Sequence, residues 1–571
     1  MPRMEETSPP SPPAIERPPR PAATIVVVRD SAQGIEVLLS RRAERGDHNS
    51  GAWVFPGGVV DAGDRDAHAV CSGINDEAAS ARLGLPSGGL DYLVAAVREC
   101  FEESGLLFAT GAGTDDANGD LVRLDAGTLG EQLSPWRGRL HRGENSVVDL
   151  CRAFGLRLAL DRLVYLSHWL TPLGRPKRFD TRFFIAAAPI GQTAAFDGTE
   201  MTEQLWLRPA EALERAGELK LMTPTQKSLE RVGKYRDVES LLAWARAPRD
   251  VALIMPRVGS GSEGMRPVMP DEFAWAELGR LDPAGHGTSC YDIQPGVAVR
   301  LSPRLIRVTA NNGSMMTGPG TNTYLVGGGA TNEWAAIDPG PLDELHVEAI
   351  LAAAPGPIRW IFATHTHTDH SPAVAPLKAR TGATVYGQRS AHSQWQDASF
   401  APDVPLVGGE RFELPGDTTL RAVHTPGHAS NHLCYLLEEE KLLFTGDHVM
   451  QASTVVINPP DGDMAAYVES LRSLIANEDL EWLAPGHGFL MQQPKRAMQG
   501  IIAHRLKREA KVVAAMRALG AANVEALLPR VYDDVQPKLH AMARRSLLAH
   551  LLKLRSDGIA DEADGVWALR A

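Results

Sequence analysis

The stretch THTHTDH, Thr364 to His370, places three histidines and an aspartate within seven residues of a chain that holds 18 histidines in 571. It follows directly on an apolar, β-rich run, Ile358 to Ala363, so a strand ends where the polar cluster begins. Alternate side chains of an extended chain share one side, which sends His365 and His367 together, while Asp369 and His370 turn toward the next helix. Imidazole nitrogens and carboxylate oxygens offered by a pre-shaped loop are what divalent zinc binds. Two ions are expected, and one short stretch cannot supply all their ligands.

Three later segments can. LRAVHTPGHASNH brings His428 after a Pro-Gly turn, KLLFTGDHVM ends a strand at Gly446 and Asp447, and LEWLAPGHGF ends one at Gly486 and His487. Each puts a glycine directly before the ligand, where the backbone must turn sharply and approach its surroundings closely. Upstream, AAIDPG ends another apolar run at Asp338. His424, His432 and His448 lie beside ligands in sequence, and they are expected to support the site from outside or to be merely local.

These motifs, in this order, resemble the metallo-β-lactamase superfamily over roughly Pro303 to Pro494. The resemblance implies an αββα sandwich with His365, His367 and His428 on one metal and Asp369, His370 and His487 on the other. Asp447 would bridge them, and Asp338 would organise the ligand loop without binding metal. His432 is the strongest of the supporting histidines, because a histidine four residues after the TPGH ligand recurs in glyoxalase II-like relatives. Zinc is the expected metal, and the mixed ligand set also suits manganese or iron. Two such ions, about 3.5–4 Å apart, activate water and polarise an electrophile, so the expectation is a hydrolase with Asp369 as the catalytic residue that orients the water.

After His487 the chain changes character. IIAHRLKREAKVVAAMRAL has helical periodicity closed by Gly520, two further helices are read in NVEALLPRVY and AMARRSLLAHLLKLRSDGIA, and DGVWAL reads as a short hairpin. This segment is similar to the small winged-helix tail of the lactamase-β-like-2 branch, whose animal members act on single-stranded RNA. From Ile501 onward 12 Lys/Arg stand against 8 Asp/Glu, a weakly basic balance on a chain of net charge −12, which is expected to be chiefly a solvated helical surface.

A second set of ligands lies near the amino terminus. ATIVVVRD and IEVLLSRR read as antiparallel strands, AWVFPGGVVDAGD as a third ending in a glycine turn, and AAVRECFEESGLL as a helix. On that helix Glu99, Glu102 and Glu103 share one face, and carboxylates so close repel unless a cation such as magnesium joins them. With the PGG turn, Arg98 and Gly105, the pattern resembles an interrupted Nudix box. An uninterrupted box would put the arginine at position 72, whereas the match is Arg98, and Asp64 stands where the first glutamate is usual. The likeness runs from about Ala22 to Ala247 and is nearest to the branch of coenzyme A diphosphatases. It implies magnesium, or manganese, on Glu99, Glu102 and Glu103, with Glu102 and Glu103 catalytic and Arg98 paired with an acid.

The expected class is therefore α/β and α+β multidomain: a proline-rich lead-in over 1–21, a Nudix α/β/α sandwich over 22–247 and a linker over 248–301. A metallo-β-lactamase αββα sandwich over 302–494 and a winged helix over 495–571 follow. The five cysteines are scattered, with no CxxC spacing, which suits a reducing cytoplasm, and no apolar run is long enough to span a membrane. The function expected is a bifunctional metal-dependent hydrolase of small-molecule or nucleotide-derived substrates. Phosphodiester cleavage, with single-stranded RNA as substrate, ranks slightly above thioester hydrolysis of the glyoxalase II or acyl-CoA type. The Nudix half is expected to cleave diphosphates such as coenzyme A derivatives, with a pure binding role as its alternative.

Overall fold

The computed structural model describes residues 18–44, 50–111, 120–125, 128–451 and 454–570. The expected lead-in falls outside the described residues up to position 17, and its last two residues already belong to the strand Arg20–Ser31. The chain divides into two units, Met1–Arg257 and Val258–Ala571. Among the described residues, no helix is long and apolar enough to cross a membrane.

In the first unit the main sheet runs in the order Met201–Leu207, Gly34–Arg42, Arg20–Ser31, Phe179–Ala187, Val164–Leu170 and Leu253–Ile254. Arg20–Ser31 carries the unbroken apolar run Ile25 to Val28, fully buried, as a strand covered on both faces must. Ile25 and Val27 pack with Val94, Val97 and Phe101 of the helix Gly89–Ser104, while the helix Val238–Arg246 lies on the sheet as well. The short strand Gly57–Val59 pairs with Arg20–Ser31 and carries the PGG turn to that helix. Residues 60–88, which interrupt the box, form local helices and a short strand of their own.

The second unit is built on two sheets. One runs in chain order from Ala298–Ser302 to Val404–Pro405, and the other from Arg411–Leu414 to Met491–Gln492. Alternation explains how each strand serves two cores. Tyr324, Val326, Ala335 and Ile337 meet Leu433, Tyr435, Leu437 and Phe444 between the sheets. Their neighbours Leu325, Trp334 and Ala336 face the helices Glu344–Ala353 and Val374–Thr381, and Cys434 and Leu436 face the helix Met464–Asn477. The result is the expected αββα sandwich. Every ligand-bearing loop leaves a strand end of these sheets.

The stretch read as a linker, 248–301, is folded over much of its length. Its strands Arg257–Gly259 and Arg266–Val268 pair, and the short helix expected at DEFAWAEL lies at Trp275–Leu281. Val268, Ala274, Leu278 and Tyr291 form a buried cluster touched by Phe489. Glu277 and Arg307, each 2% exposed, form a two-pronged ion pair at 2.6 and 2.9 Å, and Glu277 Oε2 also accepts the Leu490 N–H at 2.8 Å. Glycines and prolines here shape turns around an anchored helix instead of loosening the chain.

The carboxyl-terminal segment has the helices Pro494–Leu519, Val524–Val531 and His540–Ser556. A three-stranded sheet, in the order Ala522–Asn523, Val566–Leu569, Ala560–Ala563, completes it. The long helix ends at Gly520, whose φ of 71° needs no side chain, and the hairpin expected at DGVWAL is the last strand pair.

Candidate metal centres

In the second unit the strand Ile358–Phe362 delivers the ligand loop, and Asp338 shapes it. Asp338, 2% exposed and with φ of 51°, accepts the Thr364 N–H and hydroxyl at 2.7 Å each and lies 3.0 Å from His370 Nδ1. His365 Nε2 and His428 Nε2 lie 3.0 and 2.9 Å from His367 Nδ1. Asp369, His370, Asp447 and His487 form an adjoining group, and within each group the ligand-type atoms lie within 4.8 Å of one another. Asp447 faces both groups. Its Oδ1 lies 3.3 Å from His370 Nε2 and 3.2 Å from His487 Nε2, and its Oδ2 lies 3.7 Å from His428 Nε2.

The hydrogen bonds on the far side of each ring decide what faces inward. His428 Nδ1 donates to Val456 O at 2.8 Å, His487 Nδ1 to Gly320 O at 3.1 Å, and His370 Nδ1 to Asp338. Each Nδ1 is thereby engaged outside the cluster, and Nε2 is the nitrogen directed into it. His370 Nε2, His487 Nε2 and Asp447 Oδ1 are buried with no hydrogen-bond partner. Buried ring nitrogens and a carboxylate oxygen converging with no hydrogen-bond partner suit divalent cations, and the residues present fit a two-ion site.

The electrostatics separate the two groups. Burial, with neighbouring His370, holds His365 well below its ordinary pKa, and burial beside His428 lowers His367 to about 4. Burial also pulls on His370 and His487, yet Asp369 and Asp447 hold His370 well above its ordinary value, and chiefly Asp447 brings His487 to about 9. Burial works against the Asp369 and Asp447 carboxylates too, but the two histidines keep both below the usual range. Burial thus disfavours a proton on His365 and His367, whereas the other group pairs two carboxylates with two histidines whose pKa values they raise.

The glycines before the ligands behave as their positions suggest. A Cβ on Gly486 would stand 2.8 Å from His370 Cε1, and one on Gly446, whose φ is 44°, 2.5 Å from Thr364 Oγ1. Of the three neighbouring histidines, His432 is fully buried with its ring centroid 5.0 Å from that of His365, and its Nδ1 meets Thr425 Oγ1 at 3.0 Å. His448 packs on Tyr467, and His424 is exposed.

Sequence reasoning missed the polar frame around these loops. Asp461, 8% exposed, accepts from Ser390 Oγ at 3.0 Å, Ser430 N at 3.1 Å, Ser430 Oγ at 2.5 Å and Gln396 Nε2 at 2.8 Å. Gln396 Oε1 in turn accepts from the Thr366 hydroxyl, which accepts from Asn431 Nδ2 at 2.8 Å. Thr366 stands between His365 and His367, and Asn431 three residues after His428. Arg505, from the helix Pro494–Leu519, donates to Val455 O beside the carbonyl that holds His428. No spacing in the sequence marks these residues.

In the first unit Glu99, Glu102 and Glu103 do share one helix face. Glu102 and Glu103 are 7% and 2% exposed. Arg98 meets Asp64 through two nitrogens at 2.8 and 3.1 Å, and meets Glu99 at 2.8 Å and Glu102 at 3.4 Å. Asp64, despite its shorter side chain, is therefore the main partner of the arginine and caps Asp61 N at 2.8 Å. The turn closes on the helix, since Gly57 N donates to Glu103 at 3.0 Å and a Cβ on Gly58 would lie 2.3 Å from Glu99 Oε1. Burial lifts all three glutamates: Glu102 to about 7 against the pull of Arg98, Glu103 well above the ordinary value, and Glu99 in the same direction. Three desolvated carboxylates on one helix face, only Glu99 and Glu102 of which meet Arg98, suit a divalent cation.

Comparison with known proteins follows the same order along the chain. A family model of the metallo-beta-lactamase superfamily matches residues 316–487, a NUDIX domain model 18–71 and a NUDT19 Nudix domain model 71–232. A beta-lactamase associated winged helix domain model matches 524–567. An atrochrysone carboxyl ACP thioesterase of Aspergillus chevalieri is 31% identical over 272 residues, covering 45% of this chain and 83% of that protein. The lactamase-like protein aptB of Emericella nidulans is 30% identical over 273 residues, covering 46% and 84%. A solved NUDIX hydrolase from Alicyclobacillus acidocaldarius aligns at 26% identity and a TM-score of 0.34 over 42% of this chain and 100% of that one. This chain is a hydrolase of the metallo-β-lactamase superfamily, carrying Nudix sequence ahead of that domain and the associated winged helix after it.

Proposed function

We propose that the second unit hydrolyses thioesters with two divalent cations. His365, His367 and His428 would hold one, Asp369, His370 and His487 the other, and Asp447 would touch both. The observation that carries this reading is the division of Asp447, one oxygen toward each group of inward-facing ring nitrogens. When bound, zinc, manganese or iron would supply a water of lowered pKa and a polarised carbonyl. The chain's own part is to position and to move protons. Asp369 has the most open side chain of its group, 27% exposed, and stays ionised, so its free carboxylate edge can orient the attacking water and take its proton. The Nδ1 bonds of His370, His428 and His487 fix the rings through the reaction.

Thioesters replace single-stranded RNA as the preferred substrate because the relatives named as acyl-carrier-protein thioesterases match over most of their own length. In the first unit Glu99, Glu102 and Glu103 would hold magnesium or manganese for hydrolysis of a diphosphate, coenzyme A derivatives being one class. Asp447→Ala and Glu102→Gln in the full chain separate the two activities. Asp447→Ala should lower thioester cleavage by on the order of 10⁴ and spare diphosphate cleavage, and Glu102→Gln should do the reverse. RNA cleavage lost in Asp447→Ala, with no thioester turned over by the unaltered chain, would reject the thioester reading.

A further inference from the structure

Resting on that thioester reading, we propose that a cavity beside Thr366 is the subsite for the phosphate of a phosphopantetheine arm, the group that carries acyl thioesters on coenzyme A and on carrier proteins. The cavity, about 240 Å³, is lined among others by Thr366, Arg389, Ser390, His392, Ser393 and Gln396. It meets the ligand loop at Thr366, and none of the seven ligand-type residues lines it. Thr366 lies between two ligand-type histidines, His367 bridges to Gln396, and Asp397 N donates to Thr366 O at 2.6 Å. A group remote from the scissile bond but on the same substrate would sit in such a place.

The charges there favour an anion. Two acids border the cavity, and both are engaged within the chain. Asp461 receives four hydrogen bonds, and Asp397 accepts from Ser371 Oγ at 2.9 Å and from Ser399 N and Oγ at 2.8 and 2.5 Å. Arg389, by contrast, is exposed and makes no ion pair or side-chain hydrogen bond among the described residues. A second guanidinium stands beside the loop that lines the cavity, where Arg545 of the carboxyl-terminal helix His540–Ser556 lies 4.9 Å over the ring of Trp395, the residue before Gln396. Its neighbours Arg544 and Lys553 pair with Glu525 and Glu509, whereas Arg545 meets no carboxylate among the described residues.

Stacking occupies the face of a guanidinium and leaves its N–H edge for an anion, and arginine matches the oxygens of phosphate in pairs. Trp395 is 52% exposed and has φ of 67°, a backbone state that bulky residues rarely adopt and that recurs at ligand clamps. Serine hydroxyls and the backbone of 390–393 complete a polar lining. Two uncompensated cations at one loop of a chain with net charge −12 are a specific feature and not part of a general basic surface.

The test compares one acyl group offered to the full chain as its N-acetylcysteamine, 4′-phosphopantetheine and coenzyme A thioesters, with Arg389→Gln, Arg545→Gln and the double variant. The KM advantage of the phosphate-bearing thioesters over N-acetylcysteamine should shrink by roughly tenfold per arginine removed, the scale of one charge-assisted hydrogen bond. Phosphopantetheine and coenzyme A thioesters should share that advantage, and the change should lie in KM and not in kcat. An advantage that survives in the double variant, or one confined to coenzyme A, would overturn the arm-phosphate subsite while leaving thioester hydrolysis intact. A single-stranded oligoribonucleotide that competes through Arg389 and Arg545 as well as phosphopantetheine does would overturn it too. An unaltered chain that cleaves no thioester would reject the functional reading. Calorimetric binding of free 4′-phosphopantetheine, lost in the double variant, would then still support the subsite, and its absence in the unaltered chain would reject it.

Discussion

In the first unit, Glu99, Glu102 and Glu103 share one face of a single helix, while in the second the seven clustered side chains come from four loops spread over residues 365 to 487. The difference sets what each site needs from the rest of the chain. Helical periodicity alone gathers the glutamates, and the difficulty left to solve is repulsion, to which Asp64 adds and which is met by Arg98 and by raised pKa values. The loops have no such local rule. Each ring must be held by a partner outside the cluster, and those partners come from Asp338, Gly320, Val456 and the frame around Asp461.

The largest effect should therefore come from removing a tertiary anchor of the second unit. Glu277→Ala leaves the Arg307 guanidinium buried without its carboxylate and frees the Leu490 N–H three residues after His487. It should cost about 3–5 kcal/mol, read as a fall in the denaturant midpoint of the second unit's transition. In the first unit Asp64→Ala still leaves Arg98 with Glu99 and Glu102, so about 1–3 kcal/mol is expected. Equal losses would erase the contrast.

A smaller effect should follow from loosening the frame without touching a ligand. Asp461→Ala and Arg505→Met should each weaken zinc retention by roughly 10–100-fold in chelator competition, while magnesium binding by the first unit is unaffected. Zinc affinity unchanged in both variants would show that the loops hold their shape alone.

The smallest is a pH slope. Glu102 has its pKa raised from 4.5 to about 7, so the folded first unit binds an extra proton between those values. Stability from this group is complete below pH 4.5 and is lost as the pH rises through 7. In a metal chelator the melting temperature of the first unit should fall across that window, and Glu102→Gln should flatten the slope. A slope that persists in Glu102→Gln assigns the proton to another group.

The ligand motifs were legible because each combined an apolar strand with metal-type residues, and the three later ones added a glycine directly before the ligand. The interruption of the Nudix pattern was legible as a gap, but not its consequence. Only the packed structure shows that residues 60–88 fold aside and let Gly57 reach Glu103. His424 and His432 are each four residues from His428, and spacing alone does not separate them; only the resemblance favoured His432, which is buried beside His365 while His424 is exposed. Gln396 and Asp461 look like ordinary loop polars, because a hydrogen-bond partner 30 or 65 residues away leaves no periodic trace. The stretch 248–301 read as a linker for a related reason: turn-forming composition reports bends, not whether apolar residues such as Leu278 find a core.

By itself the sequence determined which residue types stand at strand ends and helix faces, since hydrophobic alternation and backbone chemistry act over a few neighbours. Tertiary structure alone decided which ring nitrogens point inward, which acids are already spent on arginines and hydroxyls, and which cations are left free. Those outcomes depend on distances between segments far apart in the chain, and a folded core is the only thing that sets them.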